Sequence, residues 1–305
     1  MQRILITGAT GLVGQEIVKQ CHAQNIAVNY LTTNKQSIVS LYNYQGFYWN
    51  PDTQEIDDNC FKEVDAIINL AGATVAKRWT KLYKEQILNS RINSLRLLFK
   101  TIKNKNIHIK QFIAASAIGI YPNSRTNFYD ENVTQTGDSF LAKVVVQWER
   151  EAIQFREMVS TVSLVRIGIV LSNKGGAFPK LIKPIRAFVG SPLGGGGQWQ
   201  SWIHIQDLAG IFMFVLKNKL DGIYNGVAPN PIKQREMVKT IANQVKRPVI
   251  LPSVPRFALR LLLGEMSALV LESQRVSSKK LENLGFNFNY NYLQPAIADL
   301  TANKS

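Results

Sequence analysis

Ile4-Leu5-Ile6-Thr7-Gly8-Ala9-Thr10-Gly11-Leu12-Val13-Gly14 is the stretch that decides how this chain is read. Ile4 to Ile6 have the make-up of a buried first strand, and glycines at 8, 11 and 14 carry the chain round a tight turn into an amphipathic helix. Each glycine has a separate physical task. Gly8 opens a backbone geometry closed to other residues, Gly11 lets the backbone approach a pyrophosphate, and Gly14 lets helix and strand pack closely. The phosphates would then lie at the positive end of the helix dipole. On this reading Gly8, Thr10, Gly11, Leu12, Val13 and Gly14 are candidate dinucleotide contacts.

Outward from the turn, apolar periodicity alternates between strand and helix. A helix is expected from Leu12 to Gln24, a strand from Ala27 to Leu31, and a buried strand from Asp65 to Leu70 that runs into Ala71-Gly72. A long helix from Thr80 to Lys103 follows, then a strand from Gln111 to Ser116, a helix from Asp138 to Glu157 and a strand from Thr161 to Leu171. This alternation implies an α/β fold, a Rossmann-like doubly wound parallel sheet with ligands at the C-terminal ends of its strands. Past Leu171 the pattern loosens. Gly175-Gly176 and Gly194 to Gly197 punctuate a stretch containing Lys180, Lys183 and Arg186, and Pro248, Pro252 and Pro255 mark a junction. The expected division is a nucleotide-binding domain over 1–248, with substrate-cleft insertions from about 172, and a small C-terminal α/β substrate lobe over 249–300.

Composition excludes several classes. The chain has 305 residues, 46% apolar and 19% charged, which is ordinary for a globular protein. Cys21 and Cys60 provide neither a disulfide framework nor a zinc site, and His22, His108 and His204 lie far apart, so no metal centre is expected. No Gly-x-Ser-x-Gly elbow occurs, and the glycine turn lacks the Gly-Lys-Ser/Thr ending of a nucleotide-hydrolysing loop. The 36 basic against 21 acidic side chains give a net charge of +15, a field that attracts anions. Those charges are scattered, with no run longer than two, so specific nucleic-acid binding is not expected. The segment Phe257 to Leu271 is interrupted by Arg260, Gly264, Glu265 and Ser267 and is too short and polar to span a bilayer. With no secretory pattern before the first strand, a cytoplasmic location is expected.

The residues after the second strand bear on the cofactor. An NAD site usually offers a carboxylate there for the ribose 2′-hydroxyl. This chain has Thr32-Thr33-Asn34-Lys35, two hydroxyls and an ammonium, which suit a 2′-phosphate, so NADP is expected over NAD. The ensemble of the glycine turn, Asn69-Leu70-Ala71-Gly72 and Ser116-Ala117-Ile118-Gly119-Ile120-Tyr121 resembles an extended short-chain dehydrogenase/reductase. More narrowly it resembles the atypical epimerase-like branch with its own C-terminal domain. Further landmarks are Arg78-Trp79, Ser90-Arg91, Trp148-Glu149, Trp202-Ile203-His204-Ile205 with Asp207, and Gly264-Glu265-Met266. The resemblance implies a nucleotide-binding Rossmann fold, with Leu70, Ala71, Gly72, Gln86, Arg91, Ser116 and Glu149 joining Thr32 and Thr33 as cofactor contacts. Arg91 can reach phosphate or ribose by charge-assisted hydrogen bonds.

The chain departs from ordinary members of that superfamily at the catalytic pair. There, Tyr-x-x-x-Lys on a helix works with a hydroxyl after the preceding strand, the lysine lowering the tyrosine pKa. None of the ten tyrosines here is followed four residues later by lysine, and the helix expected to hold the pair reads Phe140-Leu141-Ala142-Lys143-Val144-Val145-Val146-Gln147-Trp148-Glu149. Ser116, Tyr121 and Glu149 are the candidate replacements. Arg166, Trp199 and Trp202 are candidate walls of a substrate cleft, while His204 is assigned to the fold and Asp207 to a helix N-cap. The function expected is an NADP-binding oxidoreductase or nucleotide-sugar-epimerase-like enzyme acting on an unidentified small molecule. The alternative is a non-catalytic NADP-binding regulator that acts through a partner, for example in cell division. A homodimer or protein partner is compatible with either reading.

Overall fold

The structure is a computed structural model that describes residues 2–302. Seven strands form its parallel core: β1 (Arg3–Thr7), β2 (Ala27–Thr32), β3 (Tyr44–Asn50), β4 (Ala66–Asn69), β5 (Gln111–Ala117), β6 (Thr161–Ile167) and β7 (Gly222–Gly226). Their order across the sheet is β3-β2-β1-β4-β5-β6-β7, with every neighbouring pair parallel. The sheet is wound outward from β1 in both directions. Right-handed crossovers then place α1 (Leu12–Ala23) on one face and α2 (Lys81–Asn104) and α3 (Phe140–Ile153) on the other. α4 (Ile205–Lys217) packs beside α1, and α2 packs beside α3. The inner strands β1, β2, β4, β5 and β6 are buried on both faces, and this gives continuous apolar runs such as Ile4-Leu5-Ile6 and Ala66-Ile67-Ile68.

The glycine turn behaves as its sequence requires. Gly8 has φ +72°, a left-handed conformation that a side chain resists. A Cβ on Gly14 would stand 2.2 Å from the Gly8 carbonyl oxygen and 2.6 Å from Ala9 Cα, so the helix can approach β1 only with glycine there. α1 starts at Leu12 with Gly11 as its N-cap, and no side chain caps that end.

Several expected elements shift. The strand expected over Thr161 to Leu171 is two strands, β6 and Ile169–Ser172, hinged at Gly168. The chain leaves the main sheet there to pair with Trp202–His204, and a Cβ at Gly168 would lie 2.4 Å from the Ser201 carbonyl oxygen. The helix expected from Asp138 to Glu157 begins at Phe140, because Ser139 caps it by accepting from Ala142 N, and it ends in a 3₁₀ turn over Gln154–Glu157. β3 and β7 lie outside the alternation read from sequence. β3 is aromatic and glycine-containing, and β7 is five residues bounded by glycines, so neither displays a long apolar run.

Asp207 is not an N-cap. His204 caps α4, its Nδ1 accepting from Gln206 N at 3.2 Å, while Asp207 sits in the first turn and accepts from Asn289 N, Asn289 Nδ2 and Tyr290 N. His204 also approaches Asp299 at 3.2 Å and the Tyr290 ring at 4.0 Å, tying α4 to the C-terminal helix Leu293–Thr301. That helix shares a core with Phe178–Arg186 and Gln234–Gln244. Among the described residues, no helix is long and apolar enough to cross a membrane.

Candidate active site

At the C-terminal ends of β1, β4, β5 and β6 lies a cavity of about 550 Å³. Its floor is the glycine turn, with Gly8, Gly11, Leu12, Val13 and Gly14, and its side includes Leu70, Gly72 and Arg91. Arg91 projects from α2, donates to the carbonyls of Ile87 and Ala73 at 2.8 and 3.2 Å, and lies 4.9 Å from the centre of the Trp148 ring. Burial pulls its guanidinium down to about 10, the neighbouring Tyr83 opposing the shift. A Cβ on Gly72 would come within 3.0 Å of Arg91 Cζ, so glycine at 72 leaves room for that side chain. Trp148 also lines this wall, and its buried indole N–H has no hydrogen-bond partner among the described residues.

The next wall is α3, and its cavity-facing positions are Leu141, Val144, Val145 and Trp148. Leu141 and Val145 stand four residues apart on one helix face, the spacing a Tyr-x-x-x-Lys pair would use, and both are apolar. The polar chemistry lies one turn further along. Ser116 at the end of β5 lines the cavity and donates from Oγ to Glu149 Oε1 at 2.5 Å. Glu149 is not itself among the lining residues; it reaches the cavity through Ser116 and is gripped by Arg166, whose Nε and Nη2 each donate to a carboxylate oxygen at 2.8 Å. Both side chains are 7% exposed.

Register explains this arrangement. Ser116 of β5 pairs with Arg166 of β6, which pairs with Asn225 of β7, so the three side chains share one face of the sheet. Arg166 Nη1 donates to the Tyr121 hydroxyl at 3.0 Å, and Tyr121 donates to Asn225 Oδ1 at 2.8 Å. Burial disfavours charge on Arg166, but the hydrogen bonds and charge of Glu149, helped by Tyr121, outweigh it and raise its pKa. Burial likewise pushes the Tyr121 phenol upward, against the opposing pull of Arg166.

The sequence candidates are thereby sorted. Gly8, Gly11, Leu12, Val13, Gly14, Leu70, Gly72, Arg91, Ser116 and Trp199 line the cavity together. Thr10 and Ala71 flank that lining without joining it, while Thr32 is buried and Thr33 exposed at the end of β2. Gln86 lies on an exposed face of α2, outside the lining. Tyr121 is 1% exposed and sits behind the wall, so its phenol has no place among the cavity residues. Arg166 also lies behind the wall, a correction to its expected cleft position, because Glu149 holds its guanidinium there. Trp202 is corrected too: it is 0% exposed, packs in the second core and donates from Nε1 to the Asn230 carbonyl.

Sequence reading missed the opposite wall. Ala268, Leu269, Glu272 and Gln274 enter the cavity from the C-terminal segment, beside Gln200 and Ser201. Burial raises the Glu272 carboxyl, with Asp138 adding to the shift and hydrogen bonds to Gln274 and Ser139 opposing it. No local pattern marks Glu272, since its place comes from the return of the chain over α3.

Together the doubly wound sheet, the glycine turn and the cavity above it define a Rossmann-type α/β protein. Residues 4–226 match the NAD dependent epimerase/dehydratase family, and residues 254–300 match a domain of unknown function, DUF1731. The chain belongs to the epimerase/dehydratase family. It is 38% identical over 305 residues to the epimerase family protein SAR0825 of Staphylococcus aureus, covering 98% of this chain and 99% of that protein. The human epimerase family protein SDR39U1, solved with NADPH, superposes with a TM-score of 0.85 at 27% identity, covering 99% of this chain and all (100%) of that one. A nucleoside-diphosphate sugar epimerase from Corynebacterium glutamicum gives a TM-score of 0.76 at 27% identity, over 97% of this chain and 57% of that one.

Proposed function

We propose that the chain binds a nicotinamide dinucleotide, NADP(H) in preference to NAD(H), and acts as an oxidoreductase or epimerase-type enzyme with a hydroxyl–carboxylate pair in place of Tyr-x-x-x-Lys. The observation that carries this reading is the 2.5 Å hydrogen bond from Ser116 to Glu149 beside an otherwise apolar helix face. The residues present fit the cofactor. The Gly8–Gly14 cradle, which a Cβ would fill, and the uncapped N-terminus of α1 receive the diphosphate. Arg91 and the Trp148 side chain line the same space. In favour of NADP, the end of β2 carries Thr32, Thr33 and Lys35 and no carboxylate, and the human relative was solved with NADPH.

When bound, the cofactor accepts or supplies a hydride at its nicotinamide ring. The chain's own residues manage the proton. In the alcohol-to-carbonyl direction the substrate hydroxyl donates to Ser116 Oγ, and the serine proton passes to Glu149; the reverse path serves reduction. Arg166 fixes the carboxylate by two parallel bonds and balances its charge. The test is a fluorescence titration with NADPH and NADH. We expect NADPH to bind at least ~10-fold more tightly, a difference of ~1.4 kcal/mol. Ser116→Ala should keep that affinity and lose ~10²–10⁴-fold in turnover. Failure of both nucleotides to bind would refute the reading.

A further inference from the structure

We infer that the substrate half of the cavity takes an uncharged, largely apolar carbonyl compound or alcohol and rejects nucleoside-diphosphate sugars. This rests on the nicotinamide reading above and specifies its substrate class. The charges on the wall carry the inference. Among the described residues lining the cavity, the ionisable side chains are Arg91 and Glu272. Arg91 is committed to the cofactor side, bonded to two carbonyls and packed on Trp148 and Gly72. Arg275 and Lys233 come near but are not part of the wall; the Arg275 guanidinium lies 4.6 Å from the Trp199 ring and 4.9 Å from the Phe128 ring, and the Lys233 ammonium lies 5.6 Å from the Trp199 ring on the exposed side.

Opposite Arg91 the surface is made by Leu141, Val145, Leu269 and the half-buried Trp199. Its polar edge is Glu272 with Gln274, whose Nε2 donates to Glu272 Oε2 at 3.2 Å. A nucleoside diphosphate placed against this wall would bury phosphate charge beside the Glu272 carboxyl, with Arg91 as the cation among the described lining residues and already bonded to two carbonyls, which is strongly unfavourable. A neutral apolar substrate instead gains from covering these side chains, and its oxygen can bond to Ser116, Gln274 or the Glu272 carboxyl. The cavity thus differs in substrate chemistry from what the name of the Corynebacterium relative implies.

The experiment is calorimetry on full-length protein saturated with NADP⁺, titrated separately with acetophenone, 2-tetralone and UDP-glucose. NADP⁺ binding is measured first, and its failure would remove the nicotinamide reading and this inference with it. Given that binding, the expected result is saturable binding of at least one ketone, with UDP-glucose at least ~100-fold weaker. Leu269→Arg, checked by its ligand-free melting temperature, should weaken the ketone at least ~10-fold and leave NADP⁺ affinity in place. Tighter binding of UDP-glucose, no binding by either ketone, or ketone affinity unaltered by Leu269→Arg would overturn the inference.

Discussion

Removing Glu149 alone should be among the most damaging single changes in this protein, and removing Arg166 with it should be far milder than either change predicts. The two side chains are 7% exposed and share two 2.8 Å hydrogen bonds. Glu149→Ala leaves the guanidinium buried with the Tyr121 hydroxyl as its hydrogen-bond partner and leaves the Ser116 hydroxyl without its acceptor. Breaking a buried pair in this way costs about 3–5 kcal/mol, because the surviving charge is desolvated and unbalanced. At roughly 2–4 °C per kcal/mol for a chain of this size class, the melting temperature should fall by about 6–20 °C. The double variant Glu149→Met with Arg166→Met replaces the pair by apolar side chains of similar length and should recover most of that loss. Urea unfolding of wild type, Glu149→Met, Arg166→Met and the double variant gives the coupling energy directly. A loss below about 1 kcal/mol for Glu149→Ala, or additive costs in the double variant, would show that the pair is solvated and that the network does not fix Ser116.

Other outcomes follow from the same geometry. Gly14→Ala should destabilise by more than about 1–3 kcal/mol, since its Cβ meets backbone at 2.2 and 2.6 Å, and nucleotide affinity should fall with it; thermal melts and NADPH titration read both. Trp202→Ala should cost about 3–5 kcal/mol in urea unfolding, whereas Trp199→Ala should leave stability closer to wild type and alter ligand binding in calorimetry. Thr33→Asp, at an exposed position just past β2, should shift preference from NADPH towards NADH in paired titrations without lowering the melting temperature. Burial raises the Glu272 carboxyl, so the folded state holds that proton more tightly than the unfolded chain does. Its stabilising contribution is therefore present below the ordinary carboxylate range and lost as pH rises through the raised folded value. Glu272→Gln should match wild type near the acid end and melt higher at neutral pH, in a series of melts from pH 4 to 8.

How far the sequence could be read depended on whether a residue's task is local. Gly8 and Gly14 are legible because their constraint is covalent and immediate: a left-handed φ at one, a helix packed against its own strand at the other. The buried strands were legible because burial on both faces demands uninterrupted apolar runs. β3 and β7 broke that rule with aromatic, polar and glycine residues. The site was less legible for the same reason. Ser116, Arg166 and Asn225 are scattered along the chain, and only the register of β5, β6 and β7 puts them on one face. Nothing near Arg166 in sequence announces Glu149 as its partner, so an arginine near the cleft reads equally well as a substrate anchor. Trp199 and Trp202 present the same difficulty. They are three residues apart in one short motif, yet the chain passes from the cavity wall into the second core between them.

The missing Tyr-x-x-x-Lys pair was plain in sequence, but its consequence required the structure. Substituting apolar residues at the positions facing the cavity would ordinarily leave a proton-transfer site with no donor or acceptor. Here α3 carries Glu149 one turn beyond Val145, and β5 delivers Ser116 to meet it. The same substitution removes the cation that would have lowered a catalytic pKa, and the opposite wall adds none among its described lining residues. Loss of the lysine and the apolar wall are therefore linked: a wall whose lining side chains carry no cation is poorly suited to an anionic substrate and well suited to a neutral one. An enzyme of this kind is expected to be slow, because it lacks the positioned tyrosine–lysine pair as its acid and base. Replacing Arg166 by lysine, which keeps the charge but loses the two-pronged grip, should separate the two roles. If Arg166 only balances charge, Arg166→Lys will turn over a bound substrate as wild type does. If it positions Glu149 for Ser116, turnover will fall while NADPH affinity is retained.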